Sequence, residues 1–159
     1  MSTPRSPLIA PPESICVLRL SAIGDVCHTV PVVHALQRRW PAARITWVIG
    51  RMEASLVGDL PGVEFITYDK SGGLAAWRAL RATLRHRRFD WLLHMQAALR
   101  ASLVSLAISA RTRLGFDRAR ARDFQWLFTN RKIEARPGEH VMDGLLGFAE
   151  ALDAPRTPL

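Results

Sequence analysis

The sequence predicts a three-layer α/β domain built on a mainly parallel sheet. Short apolar runs rich in β-branched residues alternate along the chain with longer segments of helical periodicity, and glycine or proline turns separate them. Strands that alternate with helices in this way form parallel sheets with right-handed crossovers. The chain of 159 residues is long enough for one such domain, and its hydrophobic content of 48% supports a sizeable core.

The first half of the chain supplies three strands. The unbroken apolar run over residues 15–18, followed by Leu20, is typical of a strand buried on both faces. A helix over residues 25–40 follows, in which Pro31 should distort the first turn or set it apart. Residues 44–49 are rich in β-branched and aromatic side chains and form the second strand. A short helix over residues 52–57 and a Pro-Gly turn lead to the third strand, residues 63–68.

The second half continues the alternation. Residues 74–88 form the clearest amphipathic helix, with leucines on one face and arginines on another, and residues 90–95 form the fourth strand. The helix predicted over residues 97–110 is rich in small residues, and its Leu99, Leu103 and Leu106 have core spacing. A fifth strand over residues 112–116, an arginine-dense segment and a last helix over residues 138–152 complete the domain.

The ends of the chain lack such patterns. Residues 1–14 contain four prolines and no period, which predicts a disordered arm before a domain over residues 15–152. Residues 153–159 form a tail or the start of an interdomain linker. No apolar run reaches the length of a signal peptide's core or of a membrane span, so we expect a cytoplasmic protein.

Positive charge is concentrated in the second half. The net charge of +8 comes almost wholly from arginine, and twelve arginines fall between Arg78 and Arg131. This pattern indicates either an anionic partner or solvated helix faces. Nucleic acid is the least favoured partner, because the chain has no recognition motif and few aromatic residues among its arginines.

One candidate site stands out, at the end of the first strand. Gly24 marks a sharp turn there, and Asp25 stands at the start of the following helix. The chain contains neither the dinucleotide-binding motif G-x-G-x-x-G nor the P-loop motif G-x-x-x-x-G-K-[ST], so this turn is not predicted to bind phosphate. A carboxylate at a helix N-terminus is held ionised and can accept a proton, and His28 could share its face. The alternative is that Asp25 only caps the helix and His28 is structural. His94 ends the fourth strand and should open on the same edge as Asp25.

Four segments resemble one known family in the same order. They are RLSAIGDVCHTVPVVHALQ, FDWLLHMQAALRASL, RLGFDRARARDFQWLFTNRKI and HVMDGLLGFAEAL. Together they resemble the heptosyltransferases of lipopolysaccharide core synthesis, glycosyltransferase family 9. The resemblance implies the N-terminal, Rossmann-like half of a GT-B fold, which faces a lipid-linked acceptor saccharide. A second domain, absent from this chain, would bind the nucleotide-sugar, ADP-heptose.

The resemblance also implies roles for residues. Asp25 matches the aspartate taken as the general base of an inverting transfer, and His28 matches the histidine of the turn. Arg19, Ser21 and Gly24 belong to the same motif, and Gln96 matches the glutamine after the fourth strand. The chain departs from the family where His94 replaces an aspartate, Ala97 a glycine and Asp123 a common glutamate. The arginine candidates for the acidic acceptor are Arg51, Arg78, Arg118, Arg120 and Arg122.

The resemblance thus predicts a heptosyltransferase domain that is inactive without its donor-binding half. It implies no cofactor and no metal. Peripheral association with the inner face of the inner membrane is compatible with a lipid-linked acceptor. The alternative is a non-catalytic module that binds an anionic saccharide.

Overall fold

The fold is known from a computed structural model, which describes residues 9–117, 120–133 and 141–154, with only the backbone described for 141–144. Its centre is a six-stranded parallel sheet of order β3-β2-β1-β4-β5-β6. The strands are β1 (Ser14–Leu18), β2 (Arg44–Gly50), β3 (Val63–Tyr68), β4 (Arg88–His94), β5 (Ser109–Gly115) and β6 (Arg131–Lys132). The helices are α1 (Ile23–Arg39), α2 (Arg51–Val57), α3 (Gly73–Leu84), α4 (Leu99–Ser105) and α5 (Val141–Ala151).

The sheet separates two apolar cores. Alternate residues of β1 point to opposite faces, so Ile15 and Val17 pack with α1, α2 and α5, whereas Cys16 and Leu18 pack with α3 and α4. The predicted three-layer α/β class with a parallel sheet is confirmed. Strand β6 was not predicted, since two residues carry no readable alternation.

The strand order reverses direction at β1. The chain runs outward from β1 to β2 and β3, then returns to the other side of β1 with β4. In open parallel sheets such a switch point leaves a crevice at the carboxyl ends of the two central strands. The residues that follow Leu18 and His94 therefore meet at one place.

The beginning of the chain differs from the prediction. Residues 1–8 lie outside the described part, but residues 9–13 lie against the amino edge of the sheet. The Glu13 N–H donates to Asp90 Oδ2 at 2.7 Å, and Pro12 is buried. Ser14 already belongs to β1. The predicted arm over residues 1–14 is therefore wrong for residues 9–14.

Helix α1 is one continuous helix despite its proline. Pro31 lies inside it, so the predicted break after the first turn is wrong. Ala22 is the N-cap and Asp25 is the third residue of the helix, so Asp25 is not the capping residue. Gly24 is the second helical residue, not a turn glycine, and a Cβ atom there would meet nothing within 4 Å.

Helix α4 contradicts the prediction most clearly. It ends at Ser105, and its leucines face outward instead of packing in the core. Leu99, Leu103 and Leu106 are 46%, 48% and 55% exposed, whereas small residues, among them Ala101 and Ser102, face the sheet. The three leucines share one face of the helix, as predicted, but it is the opposite face that packs against the sheet.

Gly50 ends β2 where it approaches the loop after β1. A Cβ atom there would lie 2.3 Å from Glu53 Oε2 and 2.6 Å from the Leu20 carbonyl oxygen. We expect Gly50→Ala to lower the free energy of unfolding by about 1–3 kcal/mol, because the side chain and backbone must move apart. Gly24→Ala should be neutral or stabilising by up to about 1 kcal/mol. Urea denaturation followed by circular dichroism measures both, and equal midpoints would contradict the close packing at Gly50.

Candidate functional site

The candidate site lies at the switch point, where the loop after β1 meets the end of β4. Gln96 fixes this loop with its side-chain amide. Gln96 Oε1 accepts hydrogen bonds from the Leu20 and Ser21 backbone N–H groups at 2.8 and 3.3 Å, and Gln96 Nε2 donates to Ser21 Oγ at 3.3 Å. One glutamine thus substitutes for the strand partner that the backbone has lost beyond Leu18.

Arg19 links the same two strand ends to the carboxylate. Its Nη1 donates to the Met95 carbonyl oxygen, and its Nη2 forms an ion pair with Asp25 Oδ2 at 2.7 Å. The Arg19 carbonyl oxygen accepts a hydrogen bond from Trp47 Nε1 at 3.1 Å. Burial lowers the pKa of the Arg19 guanidinium, and the neighbouring Asp25 charge opposes that shift.

Asp25 is held but accessible. Its side chain is 41% exposed, compared with 12% for Arg19. Within the described residues, Oδ1 has no hydrogen-bond partner, so one carboxylate oxygen is fixed by Arg19 and the other can meet a ligand. The Asp25 carbonyl oxygen accepts a hydrogen bond from Thr29 Oγ1 at 2.9 Å, inside α1.

The remaining residues of the predicted motif surround this pair. His28 lies one turn along α1 and is half-buried, and its Nδ1 is buried without a hydrogen-bond partner among the described residues. No hydrogen bond joins His28 to Asp25 in that part of the chain. Gly24 is exposed and leaves open space beside Asp25. The structure thus brings together Arg19, Ser21, Asp25 and Gln96, with Gly24 and His28 next to them.

His94 does not share the site. It ends β4 as predicted, but its side chain is completely buried on the α3–α4 face of the sheet, where Nε2 lies 2.9 Å from Ser102 Oγ. The expectation that it opens on the same edge as Asp25 is wrong, because its position in the alternation of β4 turns it to the opposite face. His94 can support the site only through the backbone.

The predicted arginines are scattered. Arg51 is the first residue of α2, at the carboxyl edge beside β1, and is exposed. Arg78 is exposed on α3. Arg120 forms an ion pair with Asp117, and Arg122 is exposed in the loop after β5. Arg118 lies outside the described residues. Of the four that are described, Arg51 follows β2, the strand next to β1, whereas Arg120 and Arg122 follow β5, two strands away from β1.

Two further polar groups lie at the carboxyl edge of the sheet, and the sequence prediction included neither. Gln125 is fully buried; its Nε2 donates to the His94 carbonyl oxygen at 2.8 Å, and its Oε1 accepts from the Phe116 N–H at 3.1 Å. Lys70 Nζ lies 2.6 Å from Glu53 Oε1, while Glu53 Oε2 is buried without a partner among the described residues. Glu53 and Lys70 follow β2 and β3, and their position at the carboxyl edge was the available signal.

The described residues contain no group of three histidine, cysteine, aspartate or glutamate side chains arranged to hold a metal ion. The chemistry that these residues offer is proton transfer at Asp25, beside a guanidinium. The exposed carboxylate oxygen can accept a proton from a hydroxyl group that approaches from the crevice.

Comparison with known proteins places the chain in a family. The sequence profile of glycosyltransferase family 9 (heptosyltransferase) matches residues 77–158, just over half of the chain. The chain belongs to glycosyltransferase family 9. It is 43% identical over 145 residues to the lipopolysaccharide core heptosyltransferase OpsX of Haemophilus influenzae, covering 91% of this chain and 42% of that protein. It is 23% identical to lipopolysaccharide heptosyltransferase 1 of Pseudomonas aeruginosa, covering 89% of this chain and 43% of that relative.

Solved structures of this family share the fold. The Escherichia coli heptosyltransferase WaaC with ADP superimposes with a TM-score of 0.79 at 24% identity, over 91% of this chain and 49% of WaaC. E. coli ADP-heptose heptosyltransferase II gives a TM-score of 0.65 at 18% identity, over 86% of this chain and 40% of that protein. The predicted GT-B half is confirmed. This family 9 chain spans less than half the length of the curated relatives and about half of WaaC.

The Gln96 amide should be important for the stability of the loop. We expect Gln96→Leu to lower the free energy of unfolding by about 1–3 kcal/mol, because two partly buried N–H groups lose their acceptor. Gln37 is the matched control, since its Nε2 makes one exposed hydrogen bond to the Pro61 carbonyl oxygen. Gln37→Leu should change stability by less than about 0.5 kcal/mol. Urea denaturation compares the two, and equal losses would contradict the role of Gln96.

The buried His94 should make stability depend on pH. Burial and the charge of Arg113 lower the pKa of His94 from 6.5 to about 3. Between these pH values the unfolded chain binds the proton and the folded chain does not, so stability falls as the pH is lowered from 6.5 towards 3. We expect a loss approaching about 1.4 kcal/mol per pH unit below pH 6.

Urea midpoints between pH 6.5 and 5 measure this slope. His94→Gln should flatten it, whereas replacement of the exposed His86 by Gln should leave it unchanged. An unchanged slope in His94→Gln would show that His94 is not the titrating group.

Proposed function

We propose that this chain is the acceptor-side domain of an inverting heptosyltransferase of the lipopolysaccharide inner core, with Asp25 as its general base. The observation that carries the proposal is the exposed Asp25 carboxylate, which Arg19 holds at the crevice of a family 9 domain. The named activity of the Haemophilus relative, core heptosyl transfer, supports the reaction class.

The proposed reaction is a single displacement. Asp25 Oδ1 removes the proton from an acceptor sugar hydroxyl, and the hydroxyl oxygen attacks the anomeric carbon of the heptose. The bond from that carbon to the diphosphate breaks, and ADP leaves with the electron pair. Arg19 keeps the carboxylate in position while the Gln96 amide keeps the loop rigid.

The donor, ADP-heptose, requires a second domain. A departing diphosphate carries charge that must be met by cations and backbone N–H groups, and the site described above offers one carboxylate and one arginine already paired with it. Since the chain spans less than half of its curated relatives, we propose that it is inactive alone. No residue of the described site calls for a metal in this reaction.

The acceptor is proposed to be a lipid-linked core saccharide that carries acidic groups. Among the exposed arginines, Arg51 follows the strand next to β1 and is the first candidate to bind such a group, since a guanidinium binds carboxylate or phosphate with two hydrogen bonds. Such an acceptor implies work at the inner face of the inner membrane by a cytoplasmic protein that associates peripherally. None of the helices in the described residues has the length and apolar character needed to span a bilayer.

The second candidate function is a module that binds an anionic saccharide without turnover, which is favoured by a described site that offers a carboxylate and the arginine paired with it but no further cation for a leaving diphosphate. Both functions bind acceptor saccharide. They differ in whether Asp25 is needed for chemistry once a donor domain is present.

Activity of the chain and of an extended version tests the proposal. The chain alone should release no ADP from ADP-heptose in the presence of acceptor. A version extended by the remaining C-terminal part of the Haemophilus relative should transfer heptose, and Asp25→Asn in it should lower kcat by about 10²–10⁴-fold. Calorimetry should show that the Kd of Asp25→Asn for the acceptor stays within about twofold of that of the original chain. The reason is that the base acts in the transition state and contributes little to binding of the acceptor before the reaction.

Asp59→Asn is the matched control, since Asp59 is exposed in the turn before β3. It should leave both binding and turnover unchanged. Transfer that persists in Asp25→Asn would overturn the role of Asp25. If the extended version binds the acceptor but does not transfer heptose, the result would favour the binding module.

A further inference from the structure

The outward-facing leucines of α4 belong to an unusual layer. Helices α3 and α4 contain no aspartate or glutamate, and their charged residues are Arg78, Arg81 and Arg100. Arg85, at the end of α3, adds another exposed positive charge. In the described part of the chain none of these four arginines forms an ion pair. A helix layer that combines exposed leucines with unpaired arginines differs from an ordinary solvated surface, where charges of both signs are mixed.

The loop after β5 extends the apolar surface. Asp123 Oδ2 accepts a hydrogen bond from the Leu99 N–H at 3.3 Å, at the start of α4. Near the end of α4, Arg113 donates to both the Ser105 and the Phe128 carbonyl oxygens. Residues 123–128 therefore run alongside α4. Phe124 and Leu127 are each 64% exposed in this segment.

The layer formed by α3 and α4 also borders the candidate site. Helix α4 begins three residues after Gln96, which holds the loop that carries Asp25. On the opposite side of α4, Trp77 of α3 donates through Nε1 to the Leu103 carbonyl oxygen at 2.9 Å. We call the exposed side chains of α3, α4 and residues 123–128 the α3–α4 surface.

We propose that the α3–α4 surface docks on an anionic lipid bilayer, and thereby brings the crevice of Asp25 to the headgroup region. This inference rests on the proposed function in one respect, the lipid-linked acceptor, and names the surface that meets the membrane. Leu99, Leu103, Leu106 and Phe124 enter the interface, while Arg81, Arg85 and Arg100 meet lipid phosphates. The surface carries four arginines against one exposed carboxylate among its described residues, Asp123, so its charge is complementary to an anionic leaflet. Apolar side chains on the same helices add the burial that retains the protein there.

The alternative occupants are a second copy of the chain and another protein. A second copy is disfavoured by charge, because each copy would bring the same unpaired arginines to the interface. The experiment separates these occupants.

Co-sedimentation of the chain with vesicles tests the surface, without donor or acceptor present. The chain should bind vesicles of phosphatidylcholine and phosphatidylglycerol (3:1) and should bind pure phosphatidylcholine at least about tenfold more weakly. Leu103→Glu combined with Leu106→Glu should abolish binding. Arg81→Gln combined with Arg85→Gln should weaken binding about tenfold or more, and salt should weaken it further.

The control for the leucines is Leu56→Glu. Leu56 is 52% exposed on α2, a helix that packs on the other face of the sheet. Arg44→Gln combined with Arg111→Gln, at the amino edge, is the control for the arginines. Both controls should bind vesicles as the original chain does, and circular dichroism should show that every variant is folded.

Absence of vesicle binding by the original chain would overturn the proposal, as would equal losses in the variants and their controls. A dimer in solution that Leu103→Glu and Leu106→Glu dissociate, with no vesicle binding, would assign the surface to a second copy. Asp25→Asn should bind vesicles normally. Normal vesicle binding by a chain whose extended version lacks transfer would support the docking surface while contradicting the proposed function.

Discussion

The side chain of Gln96 closes the gap that opens where β1 and β4 separate. Parallel strands satisfy their N–H groups only as far as the ladder runs, and the register of β1 with β4 ends at Leu18 and His94. Beyond it the Leu20 and Ser21 N–H groups would lack acceptors, which would cost about 1–3 kcal/mol each if buried. Gln96 supplies one oxygen to both. Arg19 can therefore project from a fixed backbone, and the position of Asp25 depends on it.

The same sheet divides the chain's polar groups into two sets with different tasks. Arg19 and Asp25 lie at the open edge and retain exposed surface, so they can meet a ligand. His94, Ser102 and Arg113 lie on the α3–α4 face, where burial depresses the pKa of both the imidazole and the guanidinium. The enclosed imidazole stays uncharged and the enclosed guanidinium stays charged, so both can brace α4 but neither exchanges protons with a substrate. Only the edge set is suited to chemistry.

The sequence was sufficient for what depends on composition along the chain. Apolar runs located the five main strands, and the motif around Asp25 located the carboxylate at the correct edge. The sequence was not sufficient to predict the direction in which a side chain points from its helix or strand. The period of Leu99, Leu103 and Leu106 shows that they share a face but not which face meets the sheet. The prediction that His94 ends β4 is confirmed, but the alternation of side chains along β4 decides which face of the sheet the imidazole meets. Gln125 was missed because it becomes polar support only after the chain has folded back on β4.

The outward leucines of α4 have a structural cause on the inner side of the helix. Ala101, Ser102 and Ser105 are buried there, and such small side chains let α4 lie close to the sheet. Ser102 and Ser105 also form hydrogen bonds with His94 Nε2 and with Arg113. The inner face is therefore occupied by Val104 and by small residues, two of which the polar network requires, and the leucines lie outside. Close packing explains why leucines are absent from the inner face but not why the outer face carries three of them, since polar residues would fit there equally well. Exposed leucines beside arginines, on two helices that contain no carboxylate, support the proposed contact with a surface that is both apolar and negatively charged.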